Sequence, residues 1–301
     1  MRVPDFTVRY LGRDEAARWA SLGAAAGADL APVTNRLIPL LHDPARETAE
    51  FIVAEGEGRL LGIARAEYGA DGVARLYHPQ MADPDHVGEI GRSLVARFLA
   101  EVWTRHMTEV RGYLLLDKGL GDPAPLIELY RALGFRFLED RTVMRRDLMD
   151  FVPSVAVERY SYHALHGVGN QAFVEVMHLI GVEDPEAMLL AMREAAGALF
   201  DAELWKLVRE GERAVGVLIP QPLPEAPTIG DLFYFGLIPE ACGKGGGQLL
   251  VEKGLALLKA QWVTSFQGAC TTERCCALYT QLGMETLERQ LVFAGPQLSV
   301  Y

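Results

Sequence analysis

Between Leu232 and Gln248 the chain reads LFYFGLIPEACGKGGGQ: an apolar run, a proline, then glycines at 243, 245, 246 and 247. The helical pattern QLLVEKGLALLKAQ follows at once. Glycines placed this way, opening a helix, suit the binding of phosphate. Without a Cβ, consecutive backbone N–H groups can turn toward one anion, and a helix N-terminus adds unpaired donors and a partial positive charge. Several nucleotide-binding arrangements use that chemistry. A P-loop requires glycine, four residues and then Gly-Lys-Ser/Thr, and Lys244 has neither that spacing nor that follower. A Rossmann turn requires a third glycine where Gln248 stands.

A third arrangement fits better. Leu237-Ile238-Pro239 followed by Cys242-Gly243-Lys244-Gly245-Gly246-Gly247 resembles the pyrophosphate loop of the GNAT acyltransferase superfamily, a strand ending Val-x-Pro and then Arg/Gln-x-x-Gly-x-Gly/Ala. Cys242 departs where the family has Arg or Gln. Downstream, TERCCALYTQLGM at 272–284 resembles the family's Asn-x-x-Ala-x-x-Leu-Tyr-x-x-x-Gly-Phe. Leu278, Tyr279 and Gly283 match there, while Thr272, Cys275 and Met284 depart.

The resemblance implies transfer of an acyl group, most often acetyl, from acetyl-CoA to an amine of a small molecule. It places the pyrophosphate on the N–H groups of Gly243 to Gly247 and of the helix opening at Gln248. Lys244 either adds a charge there or serves only solubility. Cys242 and Thr272 hold further coenzyme-contact positions. Gly236, Leu237 and Ile238 match the strand end whose backbone polarises the thioester carbonyl, and a glycine in such a strand suits a bulge or close approach. Tyr279 matches the acid that protonates the departing thiolate; a phenol, with a pKa of about 10, is nearly balanced against a thiol. Asp231, opening the apolar strand, stands near the place of the base, with strand-edge polarity as its plainer explanation. Glu240 is a weaker base. The acceptor pocket is expected from residues 163–200. The alternative to an enzyme is a non-catalytic acyl-CoA sensor or scaffold, which the departures at Cys242 and Thr272 favour.

The elements that must position these residues are written twice. FIVAEGEGRLLGIARA at 51–66 and LWKLVREGERAVGVLI at 204–219 each read as two strands around a turn, with Gly62 and Gly216 in equivalent places. Gly91 and Gly247 both precede an amphipathic helix, and LYRALGF at 129–135 parallels LYTQLGM at 278–284. The expected fold is therefore α/β (α+β): two tandem GNAT-like domains, each a mixed, mostly antiparallel sheet flanked by helices. The boundary is expected near Asp147–Ser154, giving domains 1–150 and 151–301. In the first, the loop MADPDHVGEIG has only Gly88 and Gly91 and carries Asp83, Asp85 and Glu89. Carboxylates repel a pyrophosphate, so this domain is expected not to bind coenzyme A, although Tyr130 survives. The active centre is expected in 151–301.

Composition excludes other classes. Half of the 301 residues are hydrophobic and the net charge is −11. Residues 1–150 hold 19 basic and 23 acidic side chains and the remainder 10 and 17, so neither half suits nucleic acid or an anionic membrane. The first 20 residues lack the pattern of a signal peptide, and no run is long enough to span a bilayer. A cytoplasmic protein is expected. Cys242, Cys270, Cys275 and Cys276 form no C-x-x-C pair and are read as small buried thiols, with Cys242 too far from the thioester to be a nucleophile. His163 and His166 have no third ligand in sequence, so no metal is expected.

Overall fold

The computed structural model describes residues 4–15, 17–19, 22, 47–69, 72–116, 122–153, 159–224 and 226–297. Two compact units are present, Met1–Arg141 with Glu288–Tyr301, and Thr142–Leu287. The contiguous division at 150/151 is thus replaced by an exchange of final strands. In the first unit strand β5 (Glu109–Leu115) pairs with the chain's last strand, β12 (Glu285–Ala294), from Arg111–Ala294 to Leu115–Gln290. In the second, β11 (Ser265–Cys270) pairs with β6 (Arg136–Asp147), from Cys270–Thr142 to Ser265–Asp147. Each closing strand has the same local pattern, so the sequence alone does not show which edge it will join.

The first unit orders its strands β1 (Thr7–Tyr10), β2 (Phe51–Gly56), β3 (Arg59–Tyr68), β4 (Val73–Met81), β5 and β12. The β2–β3 turn places Glu57 and Gly58 at positive φ, which suits the twist of a hairpin. Helix α1 (Arg92–Thr104) buries Leu94, Val95, Phe98 and Val102, the single face expected of its periodicity. Helix α2 (Ala124–Ala132) buries Leu126, Leu129 and Tyr130. Tyr130 is wholly buried, stacked on Phe135 at 4.7 Å and edge-on to Phe293 at 5.3 Å. Gly112 makes room for it, since a Cβ there would lie 2.6 Å from the ring.

Strands β4 and β5 run parallel and stay paired from Val73–Glu109 to Tyr77–Tyr113. Beyond that point the Leu115 N–H donates to His78 Nδ1 at 3.3 Å, so a buried imidazole fills the gap between the strands. The approach to α1 is no glycine loop. Asp83 caps a short turn by accepting from the Asp85 N–H, and a π-turn at Val87–Gly91, carrying Glu89, runs straight into the helix.

The second unit orders its strands β6, β11, β10 (Ala226–Leu237), β9 (Arg213–Leu223), β8 (Lys206–Glu210) and β7 (Ser161–Ala164). Helices α3 (Leu165–Ile180), α4 (Pro185–Ala196), α5 (Gly246–Ala260) and α6 (Glu273–Gln281) flank it. Asp184 caps α4 by accepting from the Ala187 N–H at 3.0 Å. The core gathers Phe173, Trp205, Leu218, Leu250, Leu255 and Phe266. Within it Trp205 Nε1 donates to Gln221 Oε1, and Gln221 Nε2 donates to the carbonyls of Leu199 and Pro222. Gly254 and Gly230 let α5 close on the sheet, because a Cβ at either would lie 2.5–2.6 Å from Leu232 or Leu258.

Strand β10 is antiparallel to β9 with a bulge at Phe233, between the pairs Leu232–Pro220 and Tyr234–Ile219. Against β11 it is parallel and paired only at Ile229–Ser265 and Gly230–Phe266. From Asp231 onward the two strands part. Among the described residues no helix is long and apolar enough to cross a membrane.

His78 gives the first unit a pH signature. Burial pulls its imidazole down to about 4 from the ordinary 6.5. Between those values the unfolded chain takes up a proton that the folded chain refuses. The neutral imidazole's share of stability is therefore whole above about pH 6.5 and lost as pH falls toward 4. His78→Gln keeps an acceptor for the Leu115 N–H but does not titrate. Urea midpoints from pH 7 to 4.5 should fall more steeply for the wild type than for the variant, and parallel curves would contradict the neutral, buried assignment.

Candidate active site

The parting of β10 and β11 opens beside a cavity of about 450 Å³. Its floor is the end of β10 at Phe235, Gly236 and Leu237. One wall is the loop and first turns of α5, through Cys242, Gly243, Gly245, Gly246, Gly247, Gln248 and Leu250. The facing wall is α6 with its cap, through Thr272, Arg274, Cys275, Ala277, Leu278 and Gln281.

The loop's shape follows from its glycines. Gly243 and Gly245 have φ of 85° and 75°, in the left-handed region where a Cβ is strained. Gly245 is the N-cap of α5 and offers no side chain to cap it, so the first-turn N–H groups of α5 lack intrahelical acceptors. Gly246 is required for a different reason: a Cβ would meet Tyr160 Oη at 2.5 Å and Leu237 Cδ1 at 2.6 Å. The loop is fastened from outside. Arg159 donates to the Lys244 carbonyl at 3.0 Å and to Glu210 at 2.8 Å, and lies over the Tyr160 ring. The Cys242 thiol donates to the carbonyls of Leu237 and Ile238 at 3.6 and 3.5 Å, so the residue that departs from the family pattern ties the loop to the strand end. Gln248 donates through Nε2 to the buried Glu252 at 2.9 Å.

Across the cavity, Thr272 Oγ1 accepts from the Cys275 N–H at 3.2 Å and caps α6, leaving its hydroxyl hydrogen free to donate. Tyr279 lies a turn further on, 2 % exposed. Its ring packs between Phe235 of β10, 6.2 Å away, and Phe266 of β11, 5.6 Å away, and so fills the space between the diverging strands. Its hydroxyl is hydrogen-bonded to the Cys275 side chain; burial, then Cys275 and Asp231, push it well above the ordinary phenol range. Burial also raises the Cys275 thiol, and the bond from Tyr279 partly offsets that. Asp231 Oδ1 accepts from the Leu232 N–H at 2.7 Å, and the carboxylate is close enough to Tyr279 to disfavour its ionisation.

Of the expected coenzyme contacts, Gly236, Leu237, Cys242, Gly243, Gly245, Gly246, Gly247, Gln248 and Thr272 come together around the cavity, while Ile238 and Lys244 do not line it. The Ile238 N–H donates to the Val215 carbonyl at 2.9 Å and its side chain is buried. Tyr279 and Asp231 are also absent from the lining; Tyr279 meets it only through Cys275. Sequence reasoning missed Phe235, Leu250, Arg274, Cys275, Ala277, Leu278 and Gln281 as lining residues. Helical spacing could have found three of them, because Arg274, Leu278 and Gln281 fall at i, i+4 and i+7 of one face.

The cysteines require a correction. Cys270 and Cys276 are disulfide-bonded with Cα atoms 5.7 Å apart, because the turn from β11 into α6 brings the helix's first turn back beside the strand end. Cys242 is an exposed free thiol and Cys275 is half-buried, so only Cys270 and Cys276 leave the thiol pool. His163 Nε2 lies 3.0 Å from Ser161 Oγ, and His166 pairs with Glu203 at 3.0 Å. Among the described residues no three metal-ligating side chains converge.

The lining fits an acyl-CoA. Unpaired donors at a helix N-terminus suit a pyrophosphate, and the apolar surfaces of Phe235, Leu250 and Leu278 suit an extended thioester arm. No protein-family model matches the chain. Mycothiol acetyltransferase from Nocardia farcinica is 24 % identical over 318 aligned residues, covering 97 % of this chain and 98 % of that protein. The mycothiol acetyltransferase of Rhodococcus opacus is 23 % identical over 315, covering 97 % and 98 %. A solved GCN5-related N-acetyltransferase from Sphaerobacter thermophilus superposes with a TM-score of 0.63 at 18 % identity and covers 99 % of each chain. With coverage so complete at so low an identity, the likeness is one of architecture. Together with the parted parallel strands and the glycine loop, it shows that this chain has the fold of the GCN5-related N-acetyltransferases, written twice.

Proposed function

We propose that the chain transfers an acetyl group from acetyl-CoA to an amine of a small-molecule acceptor, at one centre in the 142–287 unit. One observation carries this reading: strands β10 and β11 separate directly beside an uncapped helix N-terminus. Acetyl-CoA supplies the activated acyl group. The loop N–H groups from Gly243 and the first turn of α5 hold its pyrophosphate, and Phe235, Leu250 and Leu278 keep water from the thioester arm. The oxyanion donor narrows to Leu237. Alternate residues of an antiparallel strand turn their N–H groups to opposite edges, and the Ile238 N–H is spent on β9, so that of Leu237 faces the opening.

The departing thiolate takes the proton of the Cys275 thiol, which lines the cavity, and Tyr279 returns a proton to Cys275; the phenolate so formed regains its proton from water as product leaves. Asp231, on the strand beneath, takes the proton from the incoming ammonium through water. The acyl acceptor for which the mycothiol acetyltransferases are named belongs in the first panel of amines. The position of Tyr279 behind Cys275 favours a second reading, a non-catalytic acyl-CoA sensor. Release of coenzyme A in the amine panel decides between them: turnover supports the enzyme, and tight binding without turnover supports the sensor.

Gly245→Asp tests the loop. A carboxylate at the N-cap would itself take the first-turn N–H groups and would repel a phosphate. The Kd for acetyl-CoA should rise by at least about tenfold, ~1.4 kcal/mol. Unchanged affinity by calorimetry in a folded variant would remove the pyrophosphate from this loop.

Tyr279→Phe tests the acid. It keeps the ring between Phe235 and Phe266 and removes only the hydroxyl. We expect kcat to fall on the order of 10²-fold with little change in coenzyme affinity. Tyr130→Phe, the same change in the other unit, should leave turnover nearly intact. A Tyr279→Phe enzyme retaining most of its kcat would leave Tyr279 a packing residue.

A further inference from the structure

Among the described residues Arg274 is the single charged side chain in the lining of the cavity, and no carboxylate lines it. It sits in the first turn of α6, on the wall facing the glycine loop, and is exposed. Among the described residues no ion pair or hydrogen bond engages its guanidinium. The neighbouring cations are differently placed. Arg159 is held on the outer side of the loop by Glu210 and the Lys244 carbonyl, and Lys244 is outside the lining.

The anions of a bound acetyl-CoA can be assigned by counting donors. Its pyrophosphate is served by backbone N–H groups of the loop and of the first turn of α5, which need no side chain. Its remaining anion is the 3′-phosphate of the ribose, a phosphomonoester with up to two negative charges. Among the described residues the lining offers that group one cation. A guanidinium presents a planar fork that matches phosphate oxygens in pairs, and an unengaged one gives up no existing partner to do so.

We propose that Arg274 pairs with the 3′-phosphate and makes the cavity selective for coenzyme A over its dephospho form. The assignment rests on the acetyl-CoA reading of this cavity and adds to it which phosphate the α6 wall recognises. Because the pair is exposed, its contribution is modest and screened by salt. Arg274 therefore sets selectivity and leaves the pyrophosphate contacts as they are.

Calorimetric titration of the full chain with acetyl-CoA and with acetyl-dephospho-CoA tests this without any turnover. At low ionic strength the wild type should bind acetyl-CoA about tenfold more tightly than the dephospho form, and the preference should shrink as salt rises. Arg274→Ala should lose most of the preference by weakening acetyl-CoA alone, and Arg274→Lys should keep part of it. The same losses for both ligands in Arg274→Ala, or a wild type that binds both equally, would overturn the assignment while the acetyl-CoA reading stands. A wild type that binds neither would overturn both. Matching thermal midpoints for the variants and the wild type confirm that folded proteins are compared.

Discussion

In a β-sheet an interior strand's N–H and C=O groups find partners on both neighbours. Strand β10 breaks that rule after Gly230, where its pairing with β11 ends. A buried backbone edge without partners is costly, so the space between two diverging strands must be filled by water, a side chain or a ligand. Much else in the 142–287 unit answers to this opening. The bulge at Phe233 falls on the departing strand, Tyr279 fills the space between the two arms, and α5 begins beside the end of the strand. An extended thioester arm carrying an amide could lie along such an edge as another strand would. On the proposed reading, chemistry happens at this edge because no strand pairs with β10 beyond Gly230 on that side.

The other unit shows what the same architecture does when the gap is closed. Its parallel strands remain paired for five residues, and the next available N–H, that of Leu115, is taken by His78. Where α5 starts with an uncapped glycine turn, α1 is continued backwards by a π-turn that carries Glu89. The equivalent tyrosines diverge in the same direction. The hydroxyl of Tyr130 has no partner and its ring is sealed by Phe135 and Phe293, whereas the hydroxyl of Tyr279 bonds to a residue that lines the cavity. A duplicated fold can thus keep its packing tyrosine while its cleft closes.

How much of this was legible in the sequence depended on whether a residue's role is local. Gly243 and Gly245 could be read because a positive φ admits little else, and the motif around Leu278 and Tyr279 marked the facing helix. The duplication was legible for the same reason, since hairpins and amphipathic helices repeat their patterns. The roles that depend on pairing partners were not. Whether Ile238 or Leu237 offers its N–H to the gap is fixed by ladder parity against β9. The exchange of β6 and β12 is a choice between two open edges, and the Cys270–Cys276 bridge depends on how α6 turns back on β11. Asp231 was noticed for its charge, yet only the folded chain places it beside Tyr279.

The central claim is that the opening between β10 and β11, and not its counterpart between β4 and β5, takes the coenzyme. A crystal structure of the full chain grown with saturating acetyl-CoA tests it most directly. The account predicts one coenzyme per chain, with its pyrophosphate on the Gly243–Gly247 loop and its thioester arm between β10 and β11. Coenzyme density between β4 and β5, or an empty β10–β11 opening in a chain that binds the coenzyme elsewhere, would contradict it.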